Sequence, residues 1–123
     1  MENLAFGNLK IEVIVVALPE STIRLLWTGK SNDRTPGRTL DPFLSGVVEE
    51  AAQQNARVEA HFERLEHFNS STITSIIGLV QKAQRKGVRL LILFDRTVKW
   101  QKLSFDALRV LVKGDGLLEI RST

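Results

Sequence analysis

The stretch from His67 to Phe94, HFNSSTITSIIGLVQKAQRKGVRLLILF, predicts a polar turn, a helix and a strand in immediate succession. Its middle part has apolar residues at helical spacing, at Ile73, Ile76, Ile77, Val80 and Ala83. Basic residues and Gly87 follow, which is a common way for a helix to end. Val88–Phe94 is almost entirely apolar and predicts a central strand buried on both faces. A helix that leads directly into a buried strand indicates an α/β fold.

The first half of the chain predicts a β-hairpin followed by a helix. Leu9–Val16 is rich in β-branched residues and Thr22–Trp27 follows after a turn, so the two segments should pair as antiparallel strands. Lys30–Leu40 should form a loop, because it contains Asn, Asp, Pro and Gly. Asp41–Pro42 favours a helix start, since aspartate accepts from free N–H groups and proline has no N–H to satisfy. That helix should end at about Asn55.

The remaining segments complete the predicted sheet. Arg57–Glu63 alternates polar and apolar residues, which predicts a strand with one polar face, and Leu117–Arg121 predicts a short final strand. Lys99–Val112 is amphipathic and predicts a helix whose regular part begins at Ser104. The predicted fold class is α/β, a mixed β-sheet with helices mainly on one face, in the order β-β-α-β-α-β-α-β. Residues 1–123 are expected to form a single domain.

Composition argues against several functional classes. The chain has no cysteine, so disulfides and thiolate metal ligands are excluded. Its net charge of +3 is spread along the sequence rather than gathered in a basic block, and no nucleic-acid partner is expected. The longest apolar run, Val13–Leu18, is too short to cross a bilayer, and no signal-peptide pattern is present. We therefore expect a cytoplasmic protein with no membrane partner.

Candidate catalytic and ligand-binding residues have simpler structural explanations. Gly29-Lys30-Ser31 is similar to the end of a phosphate-binding loop, but the glycine required five residues earlier is missing, so a turn after a strand explains it. His61 and His67 are six residues apart and cannot share a helix face as metal-binding pairs do. No nucleophile elbow surrounds the nearby serines. We expect no metal, no cofactor and no enzymatic activity.

The serine pair of the polar turn has two interpretations. Ser70 or Ser71 is placed to cap the following helix, a contribution of about 1 kcal/mol. The first turn of that helix has no acidic residue, so a phosphoryl group on either serine would be tolerated by the positive end of the helix dipole. It would also add nearly two negative charges to any surface that docks there. The same residues can therefore serve as a cap or as a switch.

The element order, the His67–Phe94 stretch and the closing ALRVLVKGDGLLEI at residues 107–120 together resemble the STAS domain family of anti-sigma-factor antagonists. In that family a strand leads into Asp-Ser-Ser/Thr-Gly, and a helix, a buried strand, a short helix and a final strand follow. The resemblance covers most of the chain and is strongest from Val58 to Glu119. It implies a non-enzymatic protein that binds a kinase-type anti-sigma factor and is released when that kinase phosphorylates a serine.

Carried over by position, the resemblance makes Ser70 the phosphoacceptor, with Ser71 beside it as a second candidate. The partner-binding residues it implies are Asn69, Ser70, Ser71 and Thr72. Asn69 stands where the family has aspartate, and Thr72 stands where the family has glycine. These two departures motivate the alternative of a non-phosphorylated STAS-type scaffold or regulatory binding module with a different protein partner.

Overall fold

A computed structural model describes residues 1–123 and contains seven strands and three α-helices. The strands are β1 (Leu4–Phe6), β2 (Leu9–Val16), β3 (Thr22–Ser31), β4 (Arg57–His61), β5 (Leu65–Phe68), β6 (Leu90–Phe94) and β7 (Leu118–Ser122). The helices are α1 (Gly37–Gln54), α2 (Ser70–Lys86) and α3 (Lys99–Ala107), and a 3-10 turn at Leu108–Leu111 continues α3. The predicted order is confirmed, with β1 and β5 as two short additional strands.

All seven strands belong to one mixed sheet. Six of them are arranged as β1-β2-β3-β4-β6-β7, and β5 pairs with the far end of β3 beyond the end of β4. The pairs β1–β2 and β2–β3 are antiparallel, which confirms the predicted hairpin, whereas β3, β4, β6 and β7 run parallel to one another. The mixed sheet expected from the sequence is therefore confirmed.

The helices pack on one face of this sheet. Alternate strand residues such as Ile23, Val58 and Leu90 are neighbours across the sheet and form part of a core of 28 buried residues. Phe105 of α3 packs on the same core, with its ring centroid 4.8 Å from that of Phe62. The opposite face carries no helix and is partly polar, and Leu91 and Leu93 of β6 are only half-buried on it, so the prediction that this strand is buried on both faces is wrong. The predicted one-sided arrangement is confirmed, and none of the helices is long and apolar enough to cross a membrane.

The open face of the sheet contains one buried carboxylate, that of Glu59. Its residue is only 4% exposed, and the carboxylate contacts Arg57 at 2.7 Å, Arg24 at 3.0 Å and the Nε2 atom of His61 at 3.1 Å. Burial raises the pKa of Glu59, but the hydrogen bond with His61 and the charges of Arg57 and Arg24 outweigh it and lower the pKa below its usual range. The polar face predicted for β4 is present, but its central residue is enclosed by partners.

Helices α1 and α2 lie side by side and begin at the same end of the molecule. Near their starts, Asp41 of α1 and Ser75 of α2 line the same groove. Further along, Lys82 of α2 contacts Ser45 of α1, and its Nζ atom lies 3.0 Å from the Glu49 carboxylate. The two N-terminal ends therefore meet on one edge of the protein.

Several predicted boundaries are wrong. Helix α1 begins at Gly37 rather than at Asp41, because Leu40 is fully buried and extends the apolar face of the helix by one turn. Strand β3 continues to Ser31, which reduces the predicted Lys30–Leu40 loop to a few residues. Strand β4 ends at His61 rather than at Glu63, and α3 is regular from Lys99, not from Ser104.

The Gly29-Lys30-Ser31 segment lies within β3, so it forms no phosphate-binding loop, and the prediction that it is a turn after the strand is wrong. Gly29 has a φ of 83°, and a Cβ atom there would lie 2.0 Å from the carbonyl oxygen of Asn8. Lys30 N–H donates to that same carbonyl at 2.9 Å. Glycine is therefore required by the close approach of the β1–β2 turn.

Candidate functional site

The candidate site is the short connection between β5 and α2, which is anchored by aromatic packing. Phe68, the last residue of β5, is only 6% exposed. Its ring centroid lies 4.8 Å from that of Trp100 and 5.7 Å from that of Phe105, both on α3. Such aromatic pairs add to the stabilisation that burial alone supplies. The connection is thus fixed at its start to the third helix.

Asn69 caps helix α2 and joins it to the neighbouring loop. Its Oδ1 atom accepts hydrogen bonds from the N–H of Thr72 at 2.9 Å and from the Thr72 hydroxyl at 2.7 Å. Its Nδ2 atom donates to the carbonyl of Asp33 at 2.7 Å, and its own N–H donates to the carbonyl of Ser31 at 3.0 Å. The prediction that a serine caps this helix is therefore wrong, because the preceding asparagine already satisfies the free N–H group.

Thr72 is fully buried beneath the connection. Its hydroxyl lies 2.6 Å from the hydroxyl of Ser31, which is itself 2% exposed. The two hydroxyls satisfy each other inside the protein, where an unpaired one would be costly. Thr72 was expected among the partner-binding residues, and burial removes it from the surface. Its contribution is to hold Asn69 and β3 in place from below.

Ser70 and Ser71 are exposed at the start of α2, and neither hydroxyl makes a hydrogen bond within the protein. The first turn of this 17-residue helix contains no acidic residue. Ser71 also lines a shallow depression with Arg34 from the loop before α1, Arg38 from its first turn, and Asp41 as the one acidic residue. Two helix N-termini and two guanidinium groups therefore surround this end of the protein.

Neither histidine acts on the serines in this structure. His61 is on the open face of the sheet, between the carboxylates of Glu59 at 3.1 Å and Glu63 at 3.5 Å. His67 is exposed, and its ring packs edge-on against Trp100 with centroids 6.4 Å apart. The structure contains no group of three or more His, Cys, Asp or Glu side chains that would hold a metal ion.

Gln101 of α3 supports the site from inside and was not identified from the sequence. The residue is fully buried, and its Oε1 atom accepts from the N–H of Asp95 at 2.8 Å. Its Nε2 atom donates to the carbonyls of Phe62 at 2.8 Å and Leu65 at 3.1 Å. One amide therefore joins α3, the end of β6 and the irregular link between β4 and β5. The available signal was a polar residue one turn before Phe105 on the apolar face of the helix.

Several solved structures, including two regulatory proteins, are similar to the chain, although no protein-family model matches it and no curated protein matches its sequence. The first is the anti-sigma factor antagonist SpoIIAA in its unphosphorylated form, with a TM-score of 0.52 and 16% identity over 80% of this chain and 97% of that chain. The second is SiaC in the crystal structure of the diguanylate cyclase SiaD with its activator SiaC from Pseudomonas aeruginosa. Its TM-score is 0.66, with 14% identity over 98% of both chains.

SpoIIAA is a STAS-domain protein, and both likenesses extend over most of the sheet and its helices. The order of elements and the one-sided helix layer agree with this likeness. The chain has the fold of a STAS-like domain.

Proposed function

We propose that this protein is an anti-sigma-factor antagonist-like signalling protein, which binds a kinase-type anti-sigma factor through the surface around Ser70 and is released when Ser70 is phosphorylated. The SpoIIAA-like fold supports the class of protein, and the geometry around Asn69 supports the position of the switch. The docking surface comprises Asn69, Ser70 and Ser71, without the buried Thr72.

The observation that carries this proposal is that the residues that cap α2 are not the residues whose hydroxyls are exposed. Asn69 and Thr72 make the contacts that define the start of α2, so the two serine hydroxyls have no structural role. A phosphoryl group on Ser70 would face a helix N-terminus that lacks acidic residues, where a negative charge stabilises the helix by about 0.3–1 kcal/mol. Modification would therefore change the charge of the docking surface without unfolding the domain.

The environments of the two serines favour Ser70 as the switch and leave Ser71 as the alternative acceptor. A phosphoryl group on Ser71 would lie in the depression that also contains Arg34 and Arg38, and these guanidinium groups would pair with its charge. Ser70 is not part of that depression. Its phosphoryl group would present its full charge to a docked partner, which is what release by repulsion requires.

We further propose that the protein acts by binding rather than by catalysis. A serine nucleophile needs a base within hydrogen-bond distance of its hydroxyl, and no such contact reaches Ser70 or Ser71. His67 packs on Trp100 instead. A fluorophosphonate probe tests this point: we expect neither serine to be labelled, and stoichiometric labelling of Ser70 or Ser71 would contradict it.

A second candidate is a STAS-type regulatory module that is not phosphorylated and binds a different protein, and the likeness to SiaC supports the different partner. SiaC is described as the activator of a diguanylate cyclase, and it matches nearly the full length of this chain. Asn69 in place of the family's aspartate also favours this candidate. In that case the serine surface would contact a partner enzyme constitutively.

Phosphopeptide mass spectrometry on the protein from its own cells, under several growth and stress conditions, separates the two candidates. Condition-dependent phosphate on Ser70 or Ser71 is expected for the switch. Its absence in all conditions in which the protein is abundant would favour the constitutive module. Cross-linking to the bound partner then identifies its class, an ATP-binding kinase for the first candidate and another regulatory protein or enzyme for the second.

Variants test the switch directly once the partner is known. Ser70→Asp should lose the partner and Ser70→Ala should keep it, with both variants folded. Gln81→Glu is a matched control, because it adds one negative charge to the exposed side of the same helix, about 16 Å from its start. Equal binding by Ser70→Asp and Ser70→Ala, with the same result at Ser71, would refute the switch.

A further inference from the structure

Strand β2 leaves half of its outer edge unpaired. Strand β1 pairs with it only from Leu9 to Ile11, and no strand covers the edge from Val13 onward. The uncovered part is apolar and exposed: Val15 is 60% exposed, and Leu18, just beyond the strand, is 80% exposed. An open strand edge of this kind offers its backbone to another strand.

The direction of the free backbone groups follows from the hydrogen bonds of β2. Val13 donates its N–H away from β3, to Oδ1 of Asn3 at 2.8 Å. Because residues of an antiparallel strand alternate between facing the partner strand and facing away, Val15 also directs its N–H and C=O away from β3. Ala17, two residues further on, makes no backbone hydrogen bond within the chain through its N–H. The donors and acceptors left free are therefore spaced two residues apart around Val15.

This pattern is complementary to itself. If two copies of the edge meet antiparallel with a twofold axis at Val15, the two Val15 residues exchange N–H and C=O groups. On either side of the axis, the Ala17 N–H of one copy meets the free Val13 carbonyl of the other. No charged residue lies between Val13 and Pro19, and Glu12 of one copy would meet Leu18 of the other, so no like charges are brought together.

The opposite edge of the sheet does not have these properties. Strand β7 carries Glu119 and Arg121, which form an ion pair at 2.6 Å, and charged side chains of this kind protect an edge against pairing. Strand β2 has no such charge over its uncovered half. The apolar edge is therefore confined to one side of the sheet, and pairing there closes after two copies.

We propose that the edge formed by Val13–Ala17 is a self-association surface, through which two copies of this chain join their sheets into one. The helices of both copies then lie on the same side of the joined sheet, because directly opposed residues of two antiparallel strands point to the same face. Each pair in this register joins two odd-numbered or two even-numbered residues of this edge. The Ser70 surface lies at the Ser31 end of β3, whereas Val15 pairs with Ile23 near the start of β3, so this surface remains free in the arrangement. This inference does not depend on the proposed function.

Sedimentation equilibrium over a wide concentration range tests the surface. We expect a reversible monomer–dimer equilibrium that stops at two copies. Val15→Lys and Val15→Glu should each weaken association at least about tenfold, because two like charges would meet at the axis. An equimolar mixture of the two variants should restore association, since the charges are then opposite. Leu103→Lys, at a site 75% exposed on α3, is the control and should change nothing.

A cross-linking experiment uses the absence of cysteine from the chain. Hydrogen-bonded antiparallel residues have Cα atoms about 5.5 Å apart, a separation that suits a disulfide. Val15→Cys should therefore form a disulfide-linked dimer on mild oxidation much faster than Leu103→Cys. A monomer at every concentration would overturn the proposal and leave the edge to an extended strand of another protein. Association unaffected by the Val15 variants would overturn it as well.

Discussion

The substitution Asn69→Asp tests why this chain has an amide where the STAS family has a carboxylate. An aspartate could still cap α2, because one carboxylate oxygen would replace Oδ1 as the acceptor for Thr72. The other oxygen would replace Nδ2, which donates to the Asp33 carbonyl at 2.7 Å. A hydrogen bond would thus become a contact between an anionic oxygen and a carbonyl oxygen.

The expected cost follows from three contributions. Losing the hydrogen bond to Asp33 costs about 1 kcal/mol, and placing two acceptors together costs about 1 kcal/mol more at this partly exposed position. The charge gains about 0.3–1 kcal/mol from the helix dipole. Asn69→Asp should therefore lower the free energy of unfolding at pH 7 by about 1–2 kcal/mol, which corresponds to a drop in Tm of about 4–8 °C.

Urea unfolding followed by tryptophan fluorescence measures this difference, since Trp27 is fully buried. Asn69→Ser separates the contributions, because it keeps an acceptor for the cap, loses the amide that reaches the Asp33 carbonyl and introduces no charge; we expect a loss of about 1 kcal/mol. Asn32→Asp makes the same chemical change at an exposed residue beside Asp33, in the loop between β3 and α1, and should stay within about 0.5 kcal/mol of the parent. If Asn69→Asp were as stable as the parent, the contact with Asp33 would not be the reason for the asparagine.

Three other changes test the supports of the site and of the open sheet face. Gln101→Met should lower stability by about 3–5 kcal/mol because it leaves several buried backbone groups without partners, whereas Lys102→Met at an exposed position should have little effect, both measured by urea unfolding. Thr72→Val should cost about 1–3 kcal/mol by leaving a buried hydroxyl on β3 unpaired, and Thr74→Val, which is exposed, is its control in thermal unfolding. Because the pKa of Glu59 is lowered in the folded protein, its carboxylate stabilises the fold above the unfolded pKa of about 4.3, and this contribution is lost as pH falls through the folded pKa. Glu59→Gln should therefore make the free energy of unfolding depend less steeply on pH below about pH 5. The same dependence on pH in the variant and the parent would contradict the buried network.

Hydrophobic periodicity predicted those helices and strands whose own apolar residues determine how they pack. Helix α2 and strand β6 have continuous apolar patterns, and both were placed close to their observed positions. Strand β5 was missed because its four residues pair only with the far end of β3. Nothing within LEHF indicates that β3 extends far enough to receive it. The existence of β5 is a tertiary effect that a local pattern does not contain.

The candidate site was located from the sequence, but the roles of its residues were not. The polar turn and its serines were identified correctly as the start of a helix, and the cap was assigned to a serine instead of Asn69. The choice of Asn69 as the cap depends on Asp33 and Ser31, which are more than thirty residues earlier in the chain. Local capping preferences rank asparagine and serine about equally. Only the long-range contacts decide between them.

The same contacts bear on whether the departures at Asn69 and Thr72 argue against a switch. The structure gives each a local reason: the Asn69 amide binds the Asp33 carbonyl, and the Thr72 hydroxyl pairs with the buried hydroxyl of Ser31. Both partners belong to the extension of β3 and the loop that follows it. The two departures are therefore explained by one structural feature, and they leave the hydroxyls of Ser70 and Ser71 exposed and unbonded. Asparagine and threonine in place of the family's aspartate and glycine are therefore a consequence of how the connection is supported, and they are not evidence against phosphorylation of Ser70 or Ser71.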